Sequence, residues 1–464
     1  MSSSNSQLLR LPGVIHARTC AVLVCLALLA SCSSQPKHVE PKPEPIAPPV
    51  PTNPNGITIA AVGDVMMGTD YPENILPDDD GVGFLSGVAP VLSSADIAFG
   101  NLEEVLMDGG EAVKRCKKRK ADTKEPAVTP PAPTPGATVT PSSQSNGDVN
   151  TVPVEDGDVP AEVTPPSPAS PPAEQPPATD SAPTPVAPTA PAEPNAPVAA
   201  VEQPATSGSC YVFRSPTRYA TYLRDAGFDV MSLANNHAQD FGDPGRDSSM
   251  RALDDVGIRH SGRDGDVAEW TTRGRKFALV AFAPNVGSHQ LNDLARAKEI
   301  VTKLAAHHDI VIVSFHGGSE GEGASKLPFA HELYQGEDRG DVVEFAHTVI
   351  DAGADLVLGS GPHVLRAVEL YRDRLIAYSL GNFATYYGIS VNGIRGIAGV
   401  LTARLADDGR FIDAQLDATV QIRPAGPTLD PDHRGVTQLR DLTAEAFPAG
   451  LLTIEDSGRI LRKN

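Results

Sequence analysis

The sequence predicts an α/β fold of layered sheets, and three observations carry the prediction. Short apolar runs recur along the chain, most without clean alternation, as expected of strands covered on both faces. Helical patterns lie between them, and the later runs come in close pairs that read as antiparallel hairpins. Parallel units followed by antiparallel pairs suggest α/β layers with two packed sheets.

The elements follow in order. Ile57 to Val62, Asp96 to Phe99, Val230 to Leu233, Phe277 to Phe282, Ile310 to Phe315 and Leu356 to Leu358 are the strand runs. One helix opens at Ser215-Pro216, a capping serine and a first-turn proline, and stops at Gly227. Others span Arg246 to Val256, Leu291 to His307 and Asp341 to Ala352, the last ending in Gly353. Arg366 to Tyr371 with Leu375 to Leu380, and Gly399 to Leu405 with Phe411 to Leu416, form the hairpins. The segment after Asp417 has little pattern, and residues 426–464 are expected to be a peripheral extension of a domain that closes at 425.

Length and charge bound the rest. A chain of 464 residues has ample length to bury a core, and a formal charge of −20 argues against duplex nucleic acid as partner, which needs a basic face. Residues 1–31 carry Arg10 and Arg18 ahead of an apolar stretch, Ala21 to Ala30, that is too short to span a bilayer; this is an export signal. It ends in Leu29-Ala30-Ser31-Cys32, which resembles the bacterial lipobox and implies diacylation of Cys32; ordinary cleavage after a small residue is the competing reading. Two or more acyl chains anchor stably where one does not, so the expectation is an exported, membrane-anchored protein of the periplasm or cell surface.

Two segments read as disordered. Residues 32–56 are polar and proline-rich, a tether. Residues 121–208 are dominated by Pro, Ala, Thr and Ser, hold roughly half of the 43 prolines and offer almost no aromatic residue to pack. This insert interrupts one domain made of residues 57–120 and 209–425, because a long surface insertion adds little closure entropy. Cys116 and Cys210 bracket it, and once Cys20 and Cys25 leave with the signal these two remain to pair as a disulfide or to stay as buried thiols. The basic run Lys114 to Lys120 is a solvated flank of the insert or, more sharply, a docking patch for polyanion.

The chemistry sits at the strand ends. Gly63-Asp64-Val65-Met66, Gly100-Asn101-Leu102-Glu103, Asn235-Asn236-His237, Phe315-His316-Gly317 and Gly361-Pro362-His363 each follow an apolar run. In an open α/β sheet the carboxyl ends of the strands meet at one crevice. Carboxylate, amide and imidazole groups gathered there, with no thiolate, suit Mn²⁺, Mg²⁺, Fe or Zn²⁺.

These clusters, with Ser232 to His237, Pro362-His363-Val364-Leu365 and Tyr378-Ser379-Leu380-Gly381-Asn382-Phe383, resemble the CapA family of poly-γ-glutamate capsule-synthesis proteins over about Ile57 to Ala384 apart from the insert. The resemblance implies a calcineurin-like metallophosphoesterase fold, a four-layer α/β/β/α sandwich, and a role in making, anchoring or exporting an anionic extracellular polymer alongside capsule-synthesis subunits. Carried over, it places Asp64, Glu103, Asn236, His316 and His363 at metal positions and His237 at the position of a general acid. Two departures stand out. Met66 occupies the second place of an expected Asp-x-His pair, and Gly359-Ser360-Gly361-Pro362-His363 lacks a second histidine. Two-metal hydrolysis needs both sites filled, so one is expected to be weak or empty. The reading is therefore a capsule-polymer lipoprotein with a phosphoesterase-like metal site, or else a non-catalytic scaffold that binds polymer.

Overall fold

The strand Ile57–Met66 is buried along nearly its whole length, which is why its sequence is apolar without alternation. Ile97–Leu102, Val230–Ser232 and Arg259–Ser261 add to it in parallel on one side. On the other side Ile397–Leu405, Phe411–Gln421, Arg459–Arg462 and Leu452–Ile454 continue the sheet in antiparallel fashion. The computed structural model from which this is read describes residues 56–114 and 211–463. The signal, the tether, the insert, and Cys32, Cys116 and Cys210 lie outside the described residues, as do the expectations attached to them.

A second sheet runs Val368–Tyr371, Arg374–Ala377, Leu356–Ser360, Ile310–His316, Arg275–Ala283 and Ala268–Thr272, parallel through its middle four and antiparallel at both edges. Successive side chains of a strand point to opposite faces. Ile57, Ile59 and Ala61 thus meet Leu279, Ile312 and Leu358 of the second sheet in a central core. Ala60 and Val62 turn the other way, to Tyr219, Leu223 and Leu253 of the helices Tyr219–Asp225 and Gly242–Val256. Behind the second sheet, Val280, Val311 and Val313 pack on Val301 and Phe345 of Leu294–Ala305 and Val342–Asp351. The layers run helix, sheet, sheet, helix, the four-layer α/β/β/α sandwich implied by the resemblance. Among the described residues no helix is long and apolar enough to cross a membrane.

Two expectations are corrected. Residues 426–464 are no peripheral extension: Phe411–Gln421 pairs with Pro427–Leu429 and Arg459–Arg462, and the helix Arg434–Ala446 sends Val436 and Leu439 into the central core. Ser215 caps no helix either. Its Oγ donates at 2.6 Å to the buried Glu104 carboxyl, and the helix starts four residues later at Tyr219. Asp341, by contrast, caps its helix through the backbone N–H groups of Val343 and Glu344.

Candidate metal and acid–base site

The carboxyl ends of parallel strands from both sheets converge on one buried polar cluster. Asp64 lies two residues before the end of Ile57–Met66, Asn101 lies in Ile97–Leu102 with Glu103 just past it, and His316 closes Ile310–His316. The loop after Leu356–Ser360 supplies His363. Close main-chain approach sets the geometry. A Cβ on Gly63 would stand 2.0 Å from the Gly381 carbonyl, so only glycine lets the Ser379-Leu380-Gly381-Asn382 turn lie against the Asp64 backbone, whose N–H donates to that carbonyl at 3.0 Å. His363 adopts a left-handed backbone, φ 58°, uncommon for a non-glycine residue and a mark of a position the surroundings over-determine.

Asp64, Glu103 and His363 each offer a donor atom within 4.8 Å of the others, and all three are buried. His363 Nδ1 lies 3.1 Å from Asp64 Oδ2 and 3.6 Å from Glu103 Oε2. His316 borders the group, its Nε2 3.8 Å from Glu103 Oε1, while its Nδ1 faces Asn101 Nδ2 and Ser360 Oγ at 3.3 Å each. Asn101 Nδ2 also donates to Asp64 Oδ1 at 2.9 Å. Asn236 and His237 line a cavity of about 460 Å³ together with His363, Glu320 and Arg339.

Buried polar groups ordinarily find partners, so those that do not are informative. Both oxygens of Glu103, His316 Nε2 and Asn236 Oδ1 are buried with no hydrogen-bond partner. These atoms belong to the expected ligands, and an oxygen and nitrogen donor set of this kind fits a divalent cation. The charges agree. Burial drives Glu103 well above the ordinary carboxyl value, with Asp64 and Glu320 adding to it and the His363 charge opposing. Burial pulls His363 down, but the Glu103 and Asp64 carboxylates outweigh it and lift the ring to about 10. Burial, reinforced by Arg339, keeps His316 well below its usual value and neutral.

His237 belongs to a separate arrangement. Its Nδ1 meets Asp240 Oδ2 at 2.7 Å, and Asp240 is fixed by the Phe213 N–H at 2.9 Å and by Lys114 Nζ at 3.0 Å. The Phe213 ring lies 4.4 Å from the imidazole. Burial, helped by Lys114 and opposed by Asp240, holds His237 below its ordinary value. The carboxylate fixes the ring's orientation and leaves Nε2 as its free nitrogen.

Met66 is fully buried, and its Cε comes within 3.1 Å of where a Cβ on Gly388 would stand, so its thioether packs in the wall and offers no ligand nitrogen. The Gly359 to His363 cluster holds no second histidine, and its Ser360 Oγ faces His316 Nδ1 at 3.3 Å. Among the described residues, Asp64, Glu103 and His363 form the one such group of acids and histidines. Glu320 and Arg339 escaped the sequence reading because they sit in the irregular segment after His316, away from any strand end. That segment is held by Arg366, whose Nη1 and Nη2 donate to the two Glu332 oxygens at 2.7 Å each while Nε donates to the Ala324 carbonyl at 2.6 Å. A lone arginine inside the apolar run Val364-Leu365-Arg366-Ala367-Val368 was the available signal.

Among known proteins, the family described as bacterial capsule synthesis protein PGA_cap matches residues 58–128 and 192–387, more than half of the chain. The chain is 29% identical to the capsule biosynthesis protein CapA of Bacillus anthracis over 181 residues, 35% of this chain and 41% of that protein. It is 30% identical to the PGA biosynthesis protein CapA of Bacillus subtilis over 178 residues, 35% of this chain and 43% of that one. A probable polyglutamine synthesis accessory protein of Mycobacterium tuberculosis is 30% identical over 185 residues, 34% of this chain and 45% of its own. The chain thus spans less than half the length of these relatives. A putative 5'-nucleotidase from Staphylococcus aureus superposes with TM-score 0.30 and 14% identity over 48% of this chain and 43% of its own, too low to carry an argument.

Proposed function

The chain belongs to the bacterial capsule synthesis protein PGA_cap family, and on that premise we propose that it serves the biosynthesis of an anionic capsule polymer of the poly-γ-glutamate kind through a divalent-metal, phosphoesterase-like site. The observation that carries this reading is the pair of Glu103 oxygens, buried without partners beside Asp64 and His363. Asp64, Glu103, His316 and His363 would hold the cation, with Asn236 as a further oxygen donor, and the donor set suits Mn²⁺, Mg²⁺, Fe or Zn²⁺. A divalent cation supplies Lewis-acid polarisation of a phosphoester or related bond. His237 donates a proton from Nε2 to the leaving oxygen, and Asp240 is its positioning residue. The lowered value of His237 makes the free protein's imidazole neutral at pH 7; the negative charge of a bound substrate favours the imidazolium that the acid role needs.

The lipobox-like Leu29 to Cys32 supports an exported chain, tethered through Cys32 in the periplasm or at the surface, working with other capsule-synthesis subunits. Met66 in place of the second residue of an Asp-x-His pair, and the lack of a second histidine in Gly359-Ser360-Gly361-Pro362-His363, favour a second reading in which the ion is structural and the protein scaffolds polymer synthesis. Elemental analysis of the purified chain with a model phosphodiester separates the two. Bound metal with turnover lost in His237→Ala and Asp64→Ala supports the hydrolase; bound metal without turnover supports the scaffold, and no bound metal refutes both metal readings.

A further inference from the structure

Arg339 is buried, 1% exposed, and lines the same cavity as His363, Asn236 and His237. Its guanidinium is only half used. Nη1 donates to Glu320 Oε1 at 2.9 Å, whereas Nε and Nη2 are buried with no partner. Nε and Nη2 form one edge of the planar fork, the edge that takes two oxygens of a carboxylate or phosphoryl group side by side. A guanidinium cannot shed its charge, so buried N–H groups left unpaired are costly unless a ligand meets them. The position is telling. A Cβ on Gly361 would lie 3.3 Å from Nη2, two residues from His363, and the Arg339 charge acts on both Glu103 and His316.

We propose that the Nε and Nη2 edge of Arg339 is an oxyanion subsite that grips a carboxylate or phosphoryl group of the substrate beside the Asp64, Glu103 and His363 group. The assignment rests on the proposed metal site only for the place of the reacting bond; oxyanion binding itself does not need the ion. Glu320 completes the subsite as a hinge between the two, since its other oxygen lies 3.8 Å from His363 Nε2. The hairpin Leu333–Tyr334 and Glu337–Asp338 borders the guanidinium, and its Leu333 is 72% exposed. The Tyr334 ring centroid stands 5.9 Å from the guanidinium carbon.

Calorimetric titration of the whole chain tests this with two probes, inorganic phosphate and γ-glutamylglutamate, each with and without Mn²⁺. Wild type binds at least one probe, and the preferred one identifies the oxyanion. Arg339→Gln weakens that binding at least tenfold. Arg339→Lys, which keeps the charge and the Glu320 pair but not two coplanar N–H groups, also weakens it severalfold and guards against a folding defect in the first variant. If neither probe binds wild type, or if the Lys variant binds as tightly as wild type, the subsite is refuted. Mn²⁺ titration keeps the two readings apart. Metal affinity retained in Arg339→Gln alongside lost oxyanion binding supports both, whereas Arg339-dependent oxyanion binding in a wild type that takes no Mn²⁺ sinks the metal site alone.

Discussion

Replacing Glu103 by Gln should stabilise the metal-free protein while abolishing its response to metal. Glu103 is fully buried, neither oxygen has a hydrogen-bond partner, and its value is raised by burial and by two neighbouring carboxylates. A group whose value rises on folding contributes stability at low pH that is lost as pH climbs through the raised value, so at alkaline pH the folded wild type carries the cost of this charge, offset in part by the His363 charge. Leaving a buried acceptor unmatched costs about 1–3 kcal/mol, more when it is charged. Gln keeps the shape, stays neutral and can donate toward Asp64. At about 2 °C per kcal/mol for a chain of this size, the variant should melt roughly 2–6 °C higher than wild type in chelator at pH 8 to 9. With free Mn²⁺ at 100 times its dissociation constant, wild type gains about 2.7 kcal/mol, roughly 5 °C, and the variant gains none. Differential scanning fluorimetry with chelator and with Mn²⁺ reads both. A Gln variant that melts lower in chelator, or that follows Mn²⁺ as wild type does, refutes the reasoning.

Three further outcomes follow from the same packing. Arg366→Met strands the Glu332 carboxylate and should cost about 3–5 kcal/mol, with faster amide exchange across residues 317–341; adding Glu332→Leu should recover most of the loss, and a double variant no better than the single one would count against it. Gly63→Ala drives a methyl group to 2.0 Å from the Gly381 carbonyl and should cost at least about 3 kcal/mol in urea unfolding, whereas a neutral result would show that the turn yields. Burial raises Asp355 to about 6, opposed by the Val311 N–H and Arg374, so its stability contribution is present below the ordinary value of 3.8 and lost as pH rises through 6. Asp355→Asn should therefore gain about 2 kcal/mol on wild type between pH 4 and pH 7, and a difference independent of pH would contradict the assignment.

The site was legible in the sequence because its chemistry obeys a rule of topology. Parallel strands deliver their carboxyl ends to one edge, so polar residues that end apolar runs identify the crevice without any knowledge of the loops. That logic reached Asp64, Glu103, His316 and His363. It could not reach Glu320, Arg339 or the Arg366 to Glu332 pair, which lie on or hold a segment without periodicity whose path is set by tertiary contacts. The terminal region failed for a different reason. Val436, Leu439, Leu442 and Ala446 carry a helical spacing that can be read, yet Leu452–Ile454 and Arg459–Arg462 are edge strands too short and too polar to announce themselves. Position along the chain was mistaken for position in the fold.

The two polar arrangements divide the chemistry by charge. On one side, buried carboxylates gather around His363, whose imidazolium occupies the centre that a cation would take, with its Nδ1 between Asp64 and Glu103. Opposite, Arg339 and Lys114 keep positive charge in the wall of the cavity, one tied to Glu320 and the other to Asp240. Glu337 lies farther from Arg339 Nη1, at 3.9 Å. Arg339 alone of the two retains unused buried donors, the edge on which the proposed oxyanion subsite rests. His237 stands in that same cavity with its orientation fixed by Asp240 rather than by the cluster, and it can lose its role without disturbing the cluster's residues. A buried group of carboxylates and imidazoles, one oriented imidazole and one unpaired guanidinium edge thus stand on three separately held supports, so each can be tested by substitution without removing the others.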